Sequence, residues 1–247
     1  MSSTISSIGI LGYDKCSEQD TITPSEIFKG AAMVLSRQLN PLNIKGDPVK
    51  LDVKLLSLTS GNITMQMGTQ VVPDAVLDAT TLYDLLYIPG GVGSGAQGEN
   101  PAMLDTIRRH YSGGKIIASN CSGVGILFRA GVLGKNPVTC VAAISRGLRD
   151  DGANVPQSRR MWIGNPKERL WTATGSYGVN GAAVALVTHY FGRDVGVTVA
   201  MMFDTMGGIS EAIYSLEGPE FYRHPDLELT FENFWQPMLL PTPPAAS

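Results

Sequence analysis

The chain is poor in thiols: it has three cysteines, Cys16, Cys121 and Cys140, in 247 residues, with no CxxC spacing. So sparse and odd a set argues against a disulfide scaffold and against a zinc site, so no metal is expected and each thiol is judged singly. Charge of one sign is also missing. With 17% charged residues and a formal net charge of -3, the chain has no electrostatic footprint for nucleic acid or an anionic membrane, and neither is expected as a partner. Long apolar runs are absent from the start, "MSSTISSIGILGY", which also has no basic segment. Neither a secretory signal nor a membrane span is therefore expected there, and a cytoplasmic location is the default. There is no internal repeat, and no composition break or Gly/Ser linker before residue 210. A small, neutral molecule is the expected partner.

Apolar, β-branched runs recur at residues 8–11, 51–58, 85–88, 115–119 and 170–174, with helical segments between several of them. That alternation predicts a single-domain α/β fold with a mainly parallel sheet and helices on both faces. Thr23, Pro24 and Glu26 have the residue types of a capping box with proline at the first helical position, predicting a helix from there towards Leu39. Asn100 and Pro101 predict another, through about Tyr111. "VNGAAVALVTHYF", residues 179–191, is apolar nearly all round and predicts a buried helix ended by Gly192. The expected organisation is a domain over residues 1–210 and a C-terminal extension over 211–247. The extension has six prolines and a scatter of aromatics, Phe221, Tyr222, Phe231, Phe234 and Trp235. It is expected to wrap the surface as an irregular arm, with residues 241–247 disordered.

The central motif is "IIASNCSGVGILFRAG". Ser119, Asn120, Cys121, Ser122 and Gly123 stand between a predicted strand and a predicted helix, the arrangement of a nucleophile elbow, where small neighbours let the chain turn sharply. Such a turn sets Cys121 at the carboxyl end of a strand, where open α/β sheets place ligands. It also sets the sulfur at a helix N-terminus, which favours thiolate and predicts a pKa below the usual value of about 8.5. Cys16 and Cys140 lack this frame and read as structural. Gly90 and Gly91 follow another strand, where backbone N–H groups can approach a ligand closely, as an oxyanion hole requires. The loop after the first strand offers Asp14, Glu18, Asp20 and Glu26 as candidate acids or bases. Glu26 is assigned to the capping box and Asp14 and Glu18 to solvated positions, whereas Asp20 can point across the strand ends towards Cys121.

Together these loops resemble the DJ-1/PfpI superfamily, within the class I glutamine amidotransferase-like fold. The nearest branch is the isonitrile hydratase group, with the related domains of AraC-type regulators. The resemblance lies in "DTITPSEIF" from Asp20, in "YIPGGVGSGAQGENPAMLDTIRR" from Tyr87, in the elbow, and in the late segment "TATGSYGVNGAAVALVTHYFG". It implies a flavodoxin-like or DJ-1-like sandwich, a homodimer, and no organic cofactor. It further implies that Cys121 attacks the terminal carbon of an isonitrile while Asp20 manages protons and water, with Ser122 in place of the family's threonine. Gly90, Gly91, Val92 and Gly123 would supply the substrate- and oxyanion-binding backbone. The thioimidate so formed would release an N-substituted formamide.

The sequence departs from that pattern after the elbow. Where many relatives have Thr-Thr-His-Trp, this chain has "VTCVAAI", without histidine. His110, His189 and His224 are not placed by motif beside Cys121, so a Cys-His dyad is not expected, and His189 reads as a core or interface residue. Three alternatives accompany the hydratase reading. One is glyoxalase-type activity, disfavoured by the missing histidine and by Asp20 where a glutamate is usual. Another is a tailoring rearrangement or cyclisation in the same pocket. The third is a redox sensor in which Cys121 is oxidised. An AraC-type regulator is disfavoured because no helix-turn-helix follows.

Overall fold

A computed structural model describes residues 5–204, 212–220 and 224–242. A seven-stranded sheet runs in the order β5-β2-β1-β6-β7-β9-β8. Its strands are β1 (Ser7–Leu11), β2 (Asp52–Ser57), β5 (Ala75–Val76), β6 (Leu85–Ile88), β7 (Ile116–Asn120), β9 (Leu170–Ala173) and β8 (Trp162–Asn165). All pairings are parallel except β8 with β9, which is antiparallel at the edge. A two-stranded hairpin, β3 (Ile63–Thr64) and β4 (Gln70–Val71), stands apart from the sheet. The predicted fold class is therefore present: a mostly parallel sheet with helices on both faces.

The central strands are buried along their whole length, β6 and β7 included, which is why they read as unbroken apolar runs rather than as alternating ones. Alternate side chains feed two cores. Leu86, Ile88 and Ile117 join the core beneath α3 (Pro101–Ser112), α4 (Gly123–Ala130) and α5 (Ala142–Asp150). Leu85, Tyr87, Ile116 and Ala118 join the core beneath α1 (Glu18–Leu35), α6 (Ser176–Phe191) and α7 (Arg193–Met202). The short α2 (Ser94–Gln97) follows β6, and α8 (Pro225–Leu239) covers the α4–α5 side.

Helix α3 begins as predicted, with the Asn100 side chain accepting from the Ala102 N–H, and α6 ends at Gly192. Helix α1 does not begin at Thr23. Its cap is Ser17, whose hydroxyl accepts from the Asp20 N–H, and Pro24 lies inside the helix. Glu26 is thus an exposed mid-helix residue rather than a capping partner. The residues after 210 depart further from the expected irregular arm. Pro225 occupies the first turn of α8, a position a proline ring favours, and Pro237 falls near its end. Glu232 and Glu228 face inward from α8. Glu232 accepts from the Ser145 hydroxyl and the Arg146 N–H of α5, and Glu228 pairs at 2.6 Å with the buried Arg159. Beyond the helix, Leu239 and Leu240 are core residues, and Arg129 donates to the Pro241 carbonyl. The expected boundary at 210–211, Phe221, Tyr222 and residues 243–247 lie outside the described residues.

Candidate active site

Four chain segments leave the carboxyl ends of neighbouring parallel strands and meet: the β1–α1 loop, the loop after β6, the elbow after β7 and the turn after β9. Cys121 sits in the elbow with φ at +55°, a backbone region that side chains other than glycine seldom occupy. Its N–H is tied to the Ala173 and Thr174 carbonyls at 3.0 and 3.3 Å, which fixes this turn against the end of β9. Strain held so firmly at the carboxyl end of a central strand makes this turn a candidate functional position.

Gly123 and Gly90 show why small residues flank the thiol. A Cβ on Gly123 would stand 2.5 Å from the Pro89 carbonyl oxygen. One on Gly90 would stand 2.5 Å from the Cβ of Cys121 and 2.9 Å from Oδ2 of Asp20. Both glycines therefore serve as contact surfaces where backbones touch. Asp20, in the first turn of α1, is brought by the Ser17 cap into this same space and is buried.

The carboxyl and the thiol are coupled, with the carboxylate holding the proton on the sulfur. Burial pushes Asp20 up to about 6, and this is only partly offset by the Cys121 thiol, the Asn120 amide and the Ser17 hydroxyl. Burial also pushes Cys121 well above its ordinary value, and the neighbouring Asp20 charge and hydrogen bond push it the same way. The backbone N–H and hydroxyl of Ser122 act in the opposite direction. The expected helix-terminus thiolate is thus overturned: the α4 N-terminus is outweighed by desolvation and by a carboxylate, and the resting sulfur is a thiol. Proton loss is a property of the pair.

The expected oxyanion donors are already engaged in the protein. The Gly91 N–H donates to Ser122 Oγ at 3.0 Å, and the Val92 N–H donates to the Gln66 side chain at 3.0 Å. Ser122 Oγ in turn lies 3.0 Å from the Gly91 carbonyl, so its hydroxyl braces the glycine loop against the elbow. The N–H group that acts on the sulfur is that of Ser122 itself. The sequence reading missed Gly175, where a Cβ would lie 3.4 Å from Sγ and 3.8 Å from a methyl of Val141. Gly175 caps α6, so a second helix N-terminus lies against the sulfur, and Val141, which precedes α5, lies next to Gly175. The β9 run ending at residue 174 was the available signal, but only the strand order sets it beside β7.

Other candidates are placed elsewhere. Asp14 and Glu18 hold solvated positions as expected, and there Asp14 accepts from the Thr64 N–H and Glu18 from the Met67 N–H, so these two acids pin the β3–β4 hairpin. Cys16 and Cys140 are completely buried, and burial pushes the latter to about 12. His110 is buried between the Thr106 carbonyl and the Tyr83 N–H. His189, expected in a core or interface, is exposed on α6 beside Trp171 and Tyr190, and His224 is exposed before α8. No group of three or more His, Cys, Asp or Glu side chains suited to a metal occurs among the described residues. No described helix is long and apolar enough to cross a membrane.

Comparison with known proteins agrees with this fold. The DJ-1/PfpI family model matches residues 6–185. The chain is 32% identical to an isonitrile hydratase of Pseudomonas putida over 142 residues, covering 58% of this chain and 60% of that protein. It is 31% identical to the dj-1beta protein of Drosophila melanogaster over 119 residues, covering 47% and 64%. These alignments thus span less than two thirds of either relative. A solved structure of a ThiJ/PfpI family protein from Pseudomonas syringae superposes with a TM-score of 0.72 at 16% identity, over 96% of this chain and 89% of that one.

Proposed function

The chain belongs to the DJ-1/PfpI family, and we propose that it is a cysteine-dependent enzyme that adds water to an isonitrile, giving an N-substituted formamide. The observation that carries this reading is the buried Asp20 carboxyl set against the Cys121 thiol at the elbow, with burial and hydrogen bonding tuning both groups. The likeness to an isonitrile hydratase supports the choice of substrate.

The steps follow from that pair. The Cys121 sulfur bonds to the terminal carbon of R–N≡C, and the same carbon takes one proton. Asp20 receives that proton from the thiol and delivers it, leaving Enz–S–CH=N–R. Water then adds across C=N: its oxygen bonds to carbon as Asp20 accepts a proton, and nitrogen is protonated. The C–S bond breaks, the new C–O becomes the formyl C=O, and R–NH–CHO leaves. The departing sulfur is received by the Ser122 N–H and hydroxyl, which favour its ionised form, and is reprotonated. The sum is one isonitrile plus one water, with no change in oxidation state and no cofactor consumed. Gly90 and Gly175 supply the close walls that exclude bulk water around the reacting carbon.

Incubation of wild type and Cys121→Ala with aryl and alkyl isonitriles, read by mass spectrometry, tests the reading. A product heavier by one water in wild type and absent in the variant supports it. No such product across the panel overturns it, and the same proteins given 2-oxoaldehydes then test the glyoxalase-type alternative. We propose a homodimer on the strength of family membership: light scattering should give twice the chain mass of 26.4 kDa, and the single-chain value rejects the dimer.

A further inference from the structure

Asn120 is the last residue of β7 and is completely buried; its amide acts on the Asp20 carboxyl, yet neither its nitrogen nor its oxygen makes a hydrogen bond of good geometry. The Tyr87 hydroxyl and Oδ1 of Asp20 are in the same condition. Such orphans are rare in folded proteins and call for an explanation. Here they converge. Tyr87 pairs with Ala118 and Ile88 with Ser119, so strand alternation sets Asn120, two residues beyond Ala118, on the same sheet face as Tyr87 and diagonally next to it. That face lies under α1, whose Phe28 meets the Tyr87 ring edge-on at 5.9 Å. Asp20 opens the same helix, and its Oδ2 is directed to Gly90 while Oδ1 is left unpaired. Tyr87 interacts electrostatically with both Asp20 and Cys121, and the Asn120 amide favours the ionised form of Asp20.

We propose that Asp20, Asn120 and Tyr87 cradle one buried water molecule behind the thiol, and that Asn120 is a positioning residue that holds the Asp20 carboxylate ready as a base. The water accepts from the Tyr87 hydroxyl and donates to Asp20 Oδ1 and Asn120 Oδ1, which meets the two to four partners that a buried water requires. The inference rests on the acid–thiol pair of the proposed function. Within that reaction the same position gives Asp20 a proton-relay partner that does not compete with the substrate for the sulfur.

The groups that titrate around Asp20 are Cys121 on the elbow, Tyr87 on β6, and Tyr13 and Cys16 in the β1–α1 loop. Burial holds the two tyrosines and both thiols above their ordinary values, so the only one of these groups to change charge near pH 6 is Asp20.

The test is the rate of Cys121 alkylation by iodoacetamide against pH, followed by mass spectrometry on the intact protein. The variants are Asn120→Leu, Asn120→Ser and the milder Tyr87→Phe, with circular dichroism to check folding. In wild type the rate should fall on acidification with a midpoint near the Asp20 value of about 6. Asn120→Leu should move that midpoint upward and slow alkylation at pH 6 several-fold. Tyr87→Phe should move it less in the same direction, and Asn120→Ser should restore part of the shift. A midpoint unchanged in folded Asn120→Leu and Tyr87→Phe overturns the assignment. Alkylation needs no isonitrile, so failure of this inference and failure of the hydratase reading are read separately.

Discussion

Asp20 and Cys121 are joined by a hydrogen bond: Asp20 lies buried in the first turn of α1, Cys121 lies at the end of β7, and the thiol eases ionisation of the carboxyl while the carboxylate opposes ionisation of the thiol. The sulfur is therefore a masked nucleophile, activated only as the carboxylate takes its proton.

The first consequence is a pH profile. With Asp20 at about 6, its base form dominates above that pH, so kcat/KM should rise from pH 5 to a plateau above pH 7. Asp20→Asn should lower the plateau by roughly 100-fold to 10,000-fold, the usual worth of general acid–base catalysis, and flatten the acid limb. Initial rates of formamide formation across that range measure both effects.

Stability should move in the opposite direction. Asp20 has a folded value of about 6 against an ordinary 3.8, so the native state binds its proton more tightly than the unfolded chain does. This favours folding at low pH and is lost as pH rises through 6; a difference of about 2 units corresponds to about 3 kcal/mol. Asp20→Asn should be more stable than wild type at pH 8, with the gap narrowing towards pH 4. Urea denaturation at the two pH values decides it, and a gap that widens on acidification contradicts the linkage.

Gly90→Ala adds one methyl where no space exists, 2.5 Å from the Cβ of Cys121. A displacement of about 1 Å at a reacting centre costs on the order of 100-fold in rate. The variant should lose that much activity, with Cys121 alkylation altered in parallel, while the far-UV circular dichroism stays that of wild type.

The pair formed by Arg159 and Glu228 ties α8 to the segment before β8, with the two side chains 3% and 14% exposed. Removing one partner of a buried ion pair costs about 3 kcal/mol or more, because the other charge stays buried. Glu228→Gln should lower the free energy of unfolding by that amount, and a neutral result would mean that α8 is held by its apolar contacts alone.

The strands were legible in the sequence because β-branched apolar runs such as 85–88 have few other uses, and the elbow because its spacing is narrow. The start of α1 was misread because Thr23 and Pro24 make a convincing local cap. The Ser17 cap became visible only with Asp20 packed against Gly90. Six prolines after residue 210 suggested irregularity, yet two of them lie in a helix: Pro225 in its first turn, where the missing N–H would be unpaired anyway, and Pro237 in its last turns, where only one intrahelical bond is lost. The thiolate expectation counted the helix terminus and not burial, which a sequence does not show. Asn120 and Tyr87 needed the strand register before they became neighbours.

The anchoring of α8 has a meaning for biosynthesis. Met238 closes against Gly95, just beyond the glycine loop, and Leu239 and Leu240 enter the core under α4. These are among the last described residues to leave the ribosome, whereas the elbow they support emerges more than a hundred residues earlier. The nascent chain must therefore carry an open apolar seam along α4 until translation has passed residue 240, and it is in that interval that a chaperone would find this side of the sheet uncovered.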